Sequence, residues 1–234
     1  MPVIRMHLGF RRRVCLSLFA LVVAVTMATG TAYAADSKKS PSVVESQTTY
    51  TIEINTKHPV LKLYRNGQFY REWHVALGKS QTQTPVGDWQ IVDKQKDWGG
   101  GFGTRWLGLN VPWGTYGIHG TNQPASIGRF ASHGCVRMKN RDVEQLFDIV
   151  PIGTRVIIHG NPLAHLRTLE YGNIGADVRL VQQRLQAEGY YRDDCKGVFD
   201  APTQFALIYF QITHELPMDG LVTMDDYRAL HLVK

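Results

Sequence analysis

Cysteine is scarce in this chain. There are 3 among 234 residues, too few for a scaffold stapled by disulfides. Excess charge is scarce too. The 26 Lys+Arg and 20 Asp+Glu leave a formal +6. Arg5, Arg11, Arg12 and Arg13 lie in the first 34 residues with no acid among them, so residues 35–234 carry only +2. That excludes a nucleic-acid binder argued from charge. The apolar fraction of 44% is ordinary for a chain with a core, which excludes wholesale disorder and a coiled-coil rod. The length allows one large domain or two modest ones.

The N-terminus has the form of an export signal. Arg11-Arg12-Arg13 precede an uncharged apolar run from Val14 to Thr26, and Ala32-Tyr33-Ala34 fits the small-x-small cleavage rule. Residues 1–34 are therefore expected to be a signal peptide, and 35–48 a polar, Ser/Lys-rich tether. The competing reading is an uncleaved anchor, since Val14 to Ala34 is just long enough to span a bilayer. Either way the rest of the chain is expected outside the cytoplasm, in the periplasm or cell wall. Cys15 belongs to this segment, which leaves Cys135 and Cys195 in a compartment that favours disulfides.

From residue 49 to 160 strand patterns dominate. Thr49 to Ile54 alternates and is rich in β-formers. Leu61–Tyr64 and Phe69–Val75 flank Asn66-Gly67, a strong short hairpin signal. Thr84-Pro85-Val86-Gly87 reads as a turn before a strand at Asp88–Val92. Gly99 to Gly103 reads as a mobile loop; Thr104 stands where a dinucleotide fingerprint needs its third glycine. Asn140 is expected to cap a helix carrying Val143, Leu146, Phe147 and Val150, before a closing strand at Thr154–Ile158. Residues 161–168 read as a linker and 169–234 as a small helical domain. Its apolar sets are Val178, Leu180, Val181, Leu185; then Phe205, Ala206, Ile208, Tyr209, Phe210; then Tyr227 and Leu230. Turn-strand-turn-helix patterns recur near Gly197 and Gly220.

Chemistry concentrates in Tyr116-Gly117-Ile118-His119-Gly120-Thr121 and Ser132-His133-Gly134-Cys135-Val136-Arg137-Met138. Thiolate is a strong nucleophile, and a neighbouring imidazole generates it at neutral pH. Glycines let backbone N–H groups approach a reacting carbonyl. An arginine grips a carboxylate through a bidentate fork. Two other readings fit the same residues: a zinc site built from His119, His133, Cys135 and His159, or a buried structural cysteine. No paired metal-ligand spacing supports the zinc site, and no metal or cofactor is expected.

This stretch resembles the signature of the L,D-transpeptidase family, with its YkuD-type catalytic domain. A His-Gly pair precedes a Ser-His-Gly-Cys block, with His119 and Cys135 sixteen residues apart. Thr84-Pro85-Val86-Gly87 and Phe102-Gly103-Thr104-Arg105 resemble further family segments. The resemblance implies a multidomain protein: a mainly-β catalytic domain at 49–160, a mixed β-sandwich with a short helix after the Cys motif, and then a second domain. It also implies roles. Cys135 is the nucleophile, His119 the general base, and the Gly120 carbonyl holds the other imidazole nitrogen. His133, Ser132, Gly134, Arg137 and Tyr116 contact substrate, with the Gly134 and Cys135 backbone facing the oxyanion. Unperturbed, the imidazole would titrate near ~6.5 and the thiol near ~8.5, with a cation such as Arg137 expected to lower the thiol.

The tail resembles the three-helix peptidoglycan-binding module. Gly172 to Val178, Gln182 to Leu185, Gly189-Tyr190-Tyr191, Gly197-Val198-Phe199 and Met218 to Val222 carry the likeness. Lys196 stands where the first Asp-Gly turn of that module has its Asp. The implied activity is peptidoglycan synthesis in cell-wall biogenesis and the maintenance of cell shape. The enzyme would be a cysteine acyltransferase (transferase) that forms 3→3 crosslinks from tetrapeptide stems through a thioester, releasing D-Ala. The implied partners are a donor stem and an acceptor amine, with no nucleic acid and no membrane contact beyond the signal. Alternatives are L,D-carboxypeptidase trimming and a non-catalytic wall-binding protein.

Overall fold

The computed structural model describes residues 48–234. The expected signal at 1–34, and the tether at 35–48 apart from Thr48, lie outside the described residues. No helix among the described residues is long and apolar enough to cross a membrane.

Strands β1 (Tyr50–Asn55), β2 (His58–Arg65) and β3 (Gln68–His74) form an antiparallel meander. Asn66 and Gly67 close the β2–β3 hairpin at φ +50° and +77°, the mirror-image turn that suits the twist of paired strands. β4 (Leu77–Gly78) pairs in parallel with β8 (Phe130–Ser132) as a separate two-stranded sheet. β5 (Gly87–Lys96) is longer than the Asp88–Val92 expected, because Asp93–Lys96 pair with β6 (Arg105–Leu109) in a stretch without apolar alternation. Its first residues, Gly87–Gln90, pair instead with β10 (Arg155–His159), which runs parallel to β1. β6 pairs with β7 (Tyr116–His119), and β7 pairs in parallel with β9 (Val136–Arg137). The order is β3-β2-β1-β10-β5-β6-β7-β9.

β5 thus joins two leaves, and both supply one core. Ile52, Leu61 and Ile158 come from one leaf, and Leu107, Ile118 and Val136 from the other. α1 (Asn140–Ile149) adds Val143, Leu146 and Phe147. The mainly-β body with a short helix after the cysteine motif is the architecture expected. The N-cap is Lys139 rather than Asn140, and no side chain caps the helix. The Asn140 side chain turns towards the β7 exit instead.

The helical part comprises α2 (Ala176–Ala187), α3 (Ala201–Thr213) and α4 (Met224–Ala229). Its core contains Val178, Val181, Leu185, Phe199, Leu207, Phe210 and Tyr227. Asp200 caps α3 by accepting from Thr203 N at 3.1 Å. This start sets the helix face: Ala206, Leu207 and Phe210 point inward, while Phe205 and Tyr209 are 71% and 60% exposed. The sequence echo is a real structural repeat. Gln182 Oε1 accepts from Gly197 N at 2.8 Å, and Gln211 Oε1 from Gly220 N at 3.1 Å. The glutamine therefore holds the first turn although Lys196 replaces the family's Asp.

The helical part is docked rather than loosely attached. Ala176 and Val198 pack against the core of the β body. The Arg179 guanidinium lies 5.0 Å from the Trp89 ring centre, and Trp89 meets Trp113 edge-on at 5.3 Å. Gly197 sits at φ +70°, and a Cβ there would lie 2.5 Å from the Trp113 ring. Within the stretch read as a linker, Leu163 is buried in the helical core and the Arg167 carbonyl accepts from Tyr227 Oη at 3.0 Å.

Candidate active site

The parallel pairing of β7 with β9 brings the two motifs together. Ile118 lies opposite Val136, and His119 opposite Arg137. Cys135 immediately precedes β9, so its side chain emerges beside the β7 strand that carries His119. Met138 N donates to the His119 carbonyl at 2.8 Å, and Arg137 exchanges both backbone bonds with Ala76 at 2.8 and 2.9 Å. Cys135, His119, His133 and Arg137 border one cavity of about 520 Å³, together with Phe102, Trp106 and Thr121.

His119 is almost fully buried, and its Nδ1 lies 2.5 Å from the Gly120 carbonyl. A carbonyl can only accept, so Nδ1 carries the proton and Nε2 keeps a lone pair. Phe102 contacts the imidazole edge-on at 4.9 Å and Trp106 stacks on it at 5.8 Å between ring centres. Loss of water in this aromatic setting pushes the imidazole down to about 4; the Gly120 bond opposes the shift and the Arg137 charge adds to it. Burial pushes the Cys135 thiol up, against weaker lowering by the Gly117 backbone and Arg137. The expected lowering by Arg137 is present, but desolvation outweighs it. The resting pair is therefore neutral thiol and neutral imidazole, unlike a preformed thiolate–imidazolium pair.

The remaining expected contacts divide. His133 is exposed at the cavity edge. Ser132 borders the cavity, but its side chain is fully buried and committed within the motif. Its Oγ donates to the Cys135 carbonyl at 2.6 Å and accepts from Gly134 N at 3.1 Å. The Ser132 hydroxyl thus shapes the motif loop, and the Gly134 N–H is engaged by it. Gly134 has φ +114°, and a Cβ there would lie 2.7 Å from the Tyr116 ring. Tyr116 is therefore a wall behind the motif; burial raises its phenol, which is neutral at neutral pH. His159 lies 3.7 Å from Glu53 at the end of β10, apart from the other histidines of the suggested zinc set. Among the described residues no group of three or more His, Cys, Asp or Glu could share an ion. Cys135 and Cys195 are both free thiols.

One residue escaped the sequence reading. Asn140 Oδ1 accepts from Thr121 N at 3.0 Å and Thr104 N at 3.4 Å. Cβ atoms at Gly103 or Gly120 would each lie 2.2 Å from this oxygen. Asn140 thus ties the strand exit that carries the Gly120 carbonyl to the loop that carries Phe102. Only its position after the motif hinted at this, and helix capping explained that position equally well. Asn140→Ala should cost about 1–3 kcal/mol of stability by stranding a part-buried N–H, and should slow Cys135 acylation. Asn140→Asp, which keeps an acceptor oxygen, should retain most of the rate. Acylation kinetics read beside thermal melts check both.

The L,D-transpeptidase catalytic domain model matches residues 49–158, and a peptidoglycan-binding domain model matches residues 174–230. A Bacillus subtilis protein bearing the L,D-transpeptidase name YqjB is 41% identical over 121 residues, 45% of this chain and 68% of its own length. Another from Bacillus licheniformis, named for the L,D-transpeptidase YkuD, is 48% identical over 109 residues, 47% of this chain. The chain spans 65% of that relative's length. Among solved structures, the catalytic domain from the E. faecium L,D-transpeptidase aligns with a TM-score of 0.41 and 25% identity, over 47% of this chain and 95% of that one. The chain belongs to the L,D-transpeptidase family. It joins that family's catalytic domain to a peptidoglycan-binding domain.

Proposed function

We propose that this protein is an exported cysteine L,D-transpeptidase that forms 3→3 crosslinks in peptidoglycan. The observation that carries the reading is the tautomer-fixed His119, Nδ1 bonded to the Gly120 carbonyl, beside Cys135 and Arg137 in one cavity. We take 1–34 as the signal, 35–48 as the tether, 49–160 as the catalytic domain, 161–168 as the connection and 169–234 as the wall-binding domain. The apolar run behind three arginines supports a place in the periplasm or cell wall.

The reaction runs in two halves. His119 Nε2 takes the Cys135 proton as Sγ attacks the carbonyl of the L-centre of the diamino acid in a tetrapeptide donor. The Gly134 N–H is engaged by Ser132 Oγ, so the Cys135 N–H is the backbone donor we assign to the oxyanion. Collapse breaks the C–N bond; the imidazolium returns its proton to the leaving D-Ala amine, and a thioester remains. An acceptor amine then attacks the thioester, giving its proton to His119, which reprotonates the departing Cys135 sulfur. Gly120 orients the imidazole as a triad carboxylate does, without adding a charge. Arg137 offers a fork to a stem carboxylate.

Mass spectrometry of muropeptides after incubation with tetrapeptide-bearing wall fragments tests the function. Crosslinked dimers are expected; tripeptides alone would mean trimming, and unchanged fragments would sink the enzyme reading. Arg137→Lys should lower kcat/KM for the tetrapeptide donor more than it lowers thermal stability, because an ammonium cannot reproduce the planar fork. A fallen melting temperature with unchanged activity per folded molecule would make Arg137 structural.

A further inference from the structure

A second cavity of about 660 Å³ opens between the catalytic and helical parts. One wall is the Ser80–Pro85 turn with Trp113 and Tyr116; the other is the chain from Pro162 to Arg167 and the start of α2. His133 borders both this groove and the thiol cavity. The groove therefore meets the cavity that holds Cys135 at a shared residue, two positions before the nucleophile in the chain.

Both walls are fixed. On the catalytic side, Lys79 N and Thr82 Oγ1 donate to the Ser132 carbonyl at 3.1 and 3.0 Å. Gly78 N donates to Thr84 Oγ1 at 2.9 Å. The turn is thus bonded directly to the Ser-His-Gly-Cys loop. On the helical side, Arg167 Nε and Nη2 reach Asp177 at 2.8 and 3.3 Å, and Nη2 also donates to the Ile174 carbonyl at 2.9 Å. Docking on Trp113 and Trp89 holds this wall in register with the catalytic one. Leu166 and Ile174 stand 41% and 47% exposed along it, facing a turn rich in hydroxyl and amide side chains. A groove with an apolar rail opposite a polar one suits an extended peptide.

We propose that this groove binds the acceptor stem peptide, so that the helical domain supplies half of the acceptor site as well as any hold on the wall. The inference rests on the transpeptidase reading above. Two-substrate acyl transfer needs a second peptide to reach the thioester while the donor occupies the thiol cavity. The groove supplies a route that meets the first cavity at His133. Its occupant would present an amine at His133 and lay its side chains on Leu166 and Ile174. The helical domain would then bias the thioester towards amine over water by holding that amine close.

The test uses the full mature chain with a tetrapeptide donor at fixed concentration and a tripeptide stem, which has no terminal D-Ala to lose, as titrated acceptor. The readout is crosslinked product relative to hydrolysed donor for each Cys135 acylation event. Leu166→Asp with Ile174→Asp places two carboxylates against a carboxylate-bearing peptide, and both positions are exposed enough to tolerate them. The acceptor KM should rise about tenfold as like charges face each other, and the product should shift towards hydrolysis. His165→Glu, on the same wall, should shift it in the same direction. An unchanged product ratio overturns the proposal. An equal loss of acylation would assign the groove to the donor and overturn it too. If the unmodified protein shows no Cys135 acylation by the tetrapeptide, the transpeptidase reading itself has failed, a result distinct from a failed acceptor assignment.

Discussion

Cys135→Ala is expected to form no thioester and to release no D-Ala, with its fold intact. Removing the nucleophile of a triad-type enzyme lowers turnover on the order of a millionfold. The fold should survive because the thiol borders the cavity and its hydrogen bond to the Thr115 carbonyl is long at 4.0 Å. The motif is held by other atoms: Ser132 Oγ grips the Cys135 carbonyl and the Gly134 N–H, and β9 continues into the Arg137–Ala76 bridge. Intact-protein mass spectrometry after exposure to a tetrapeptide or a carbapenem should show one adduct on wild type and none on the variant. Cys195 provides the internal control. It is a free thiol that burial also pushes up, but it sits in the helical domain with its sulfur 3.5 Å from Gln186 Oε1, an amide oxygen that cannot serve as an imidazole base. Crosslinking by purified Cys135→Ala at a wild-type rate would rule out the thioester mechanism.

Much of the fold was legible because local signals marked it. Asn66-Gly67 forms its hairpin, and the apolar spacing from Val143 to Val150 becomes α1. The His-Gly and Ser-His-Gly-Cys motifs fall in one cavity because β7 and β9 pair in parallel. That pairing has no sequence marker of its own; only the resemblance connected the two segments. Features that depend on long-range packing were not legible. Asn140 has the residue type of a cap, yet its oxygen bonds two N–H groups from distant loops. Trp89 and Trp113 look like ordinary core residues, but they also form the seat of the helical domain. Phe205 and Tyr209 fit a helical pattern, and only the start of α3 at Ala201 turns them outward. Charge pairing was the sequence basis for expecting a lowered thiol, whereas burial, which no local pattern reports, decides the sign.

His119→Gln is expected to change the shape of the pH profile of Cys135 acylation as well as its height. In the wild type the imidazole is pushed down to about 4, so the base is already free of its proton at pH 5 and above. The rate should fall only as pH drops through about 4, where protonation occupies Nε2. An ordinary imidazole would produce that fall near ~6.5. Between these values and neutrality the profile should be flat, since proton transfer from thiol to imidazole accompanies attack and needs no free thiolate. A further rise is expected only in alkali, above the ordinary thiol range, because burial holds the Cys135 thiol up. In His119→Gln no base remains, so only spontaneously ionised thiol reacts. Its rate should climb about tenfold per pH unit below the thiol pKa, the slope of a single ionisation. The deficit should be largest at the acidic end of the plateau, near pH 5, and should shrink steadily through neutrality as the thiol ionises unaided. His133→Gln should keep the acidic limb and the plateau, because the exposed His133 lacks the Gly120 bond that fixes the His119 tautomer. Rates of carbapenem adduct formation across pH for the three proteins separate these cases. A flat profile in His119→Gln, or alkaline rescue confined to His133→Gln, would transfer the base role to the other histidine.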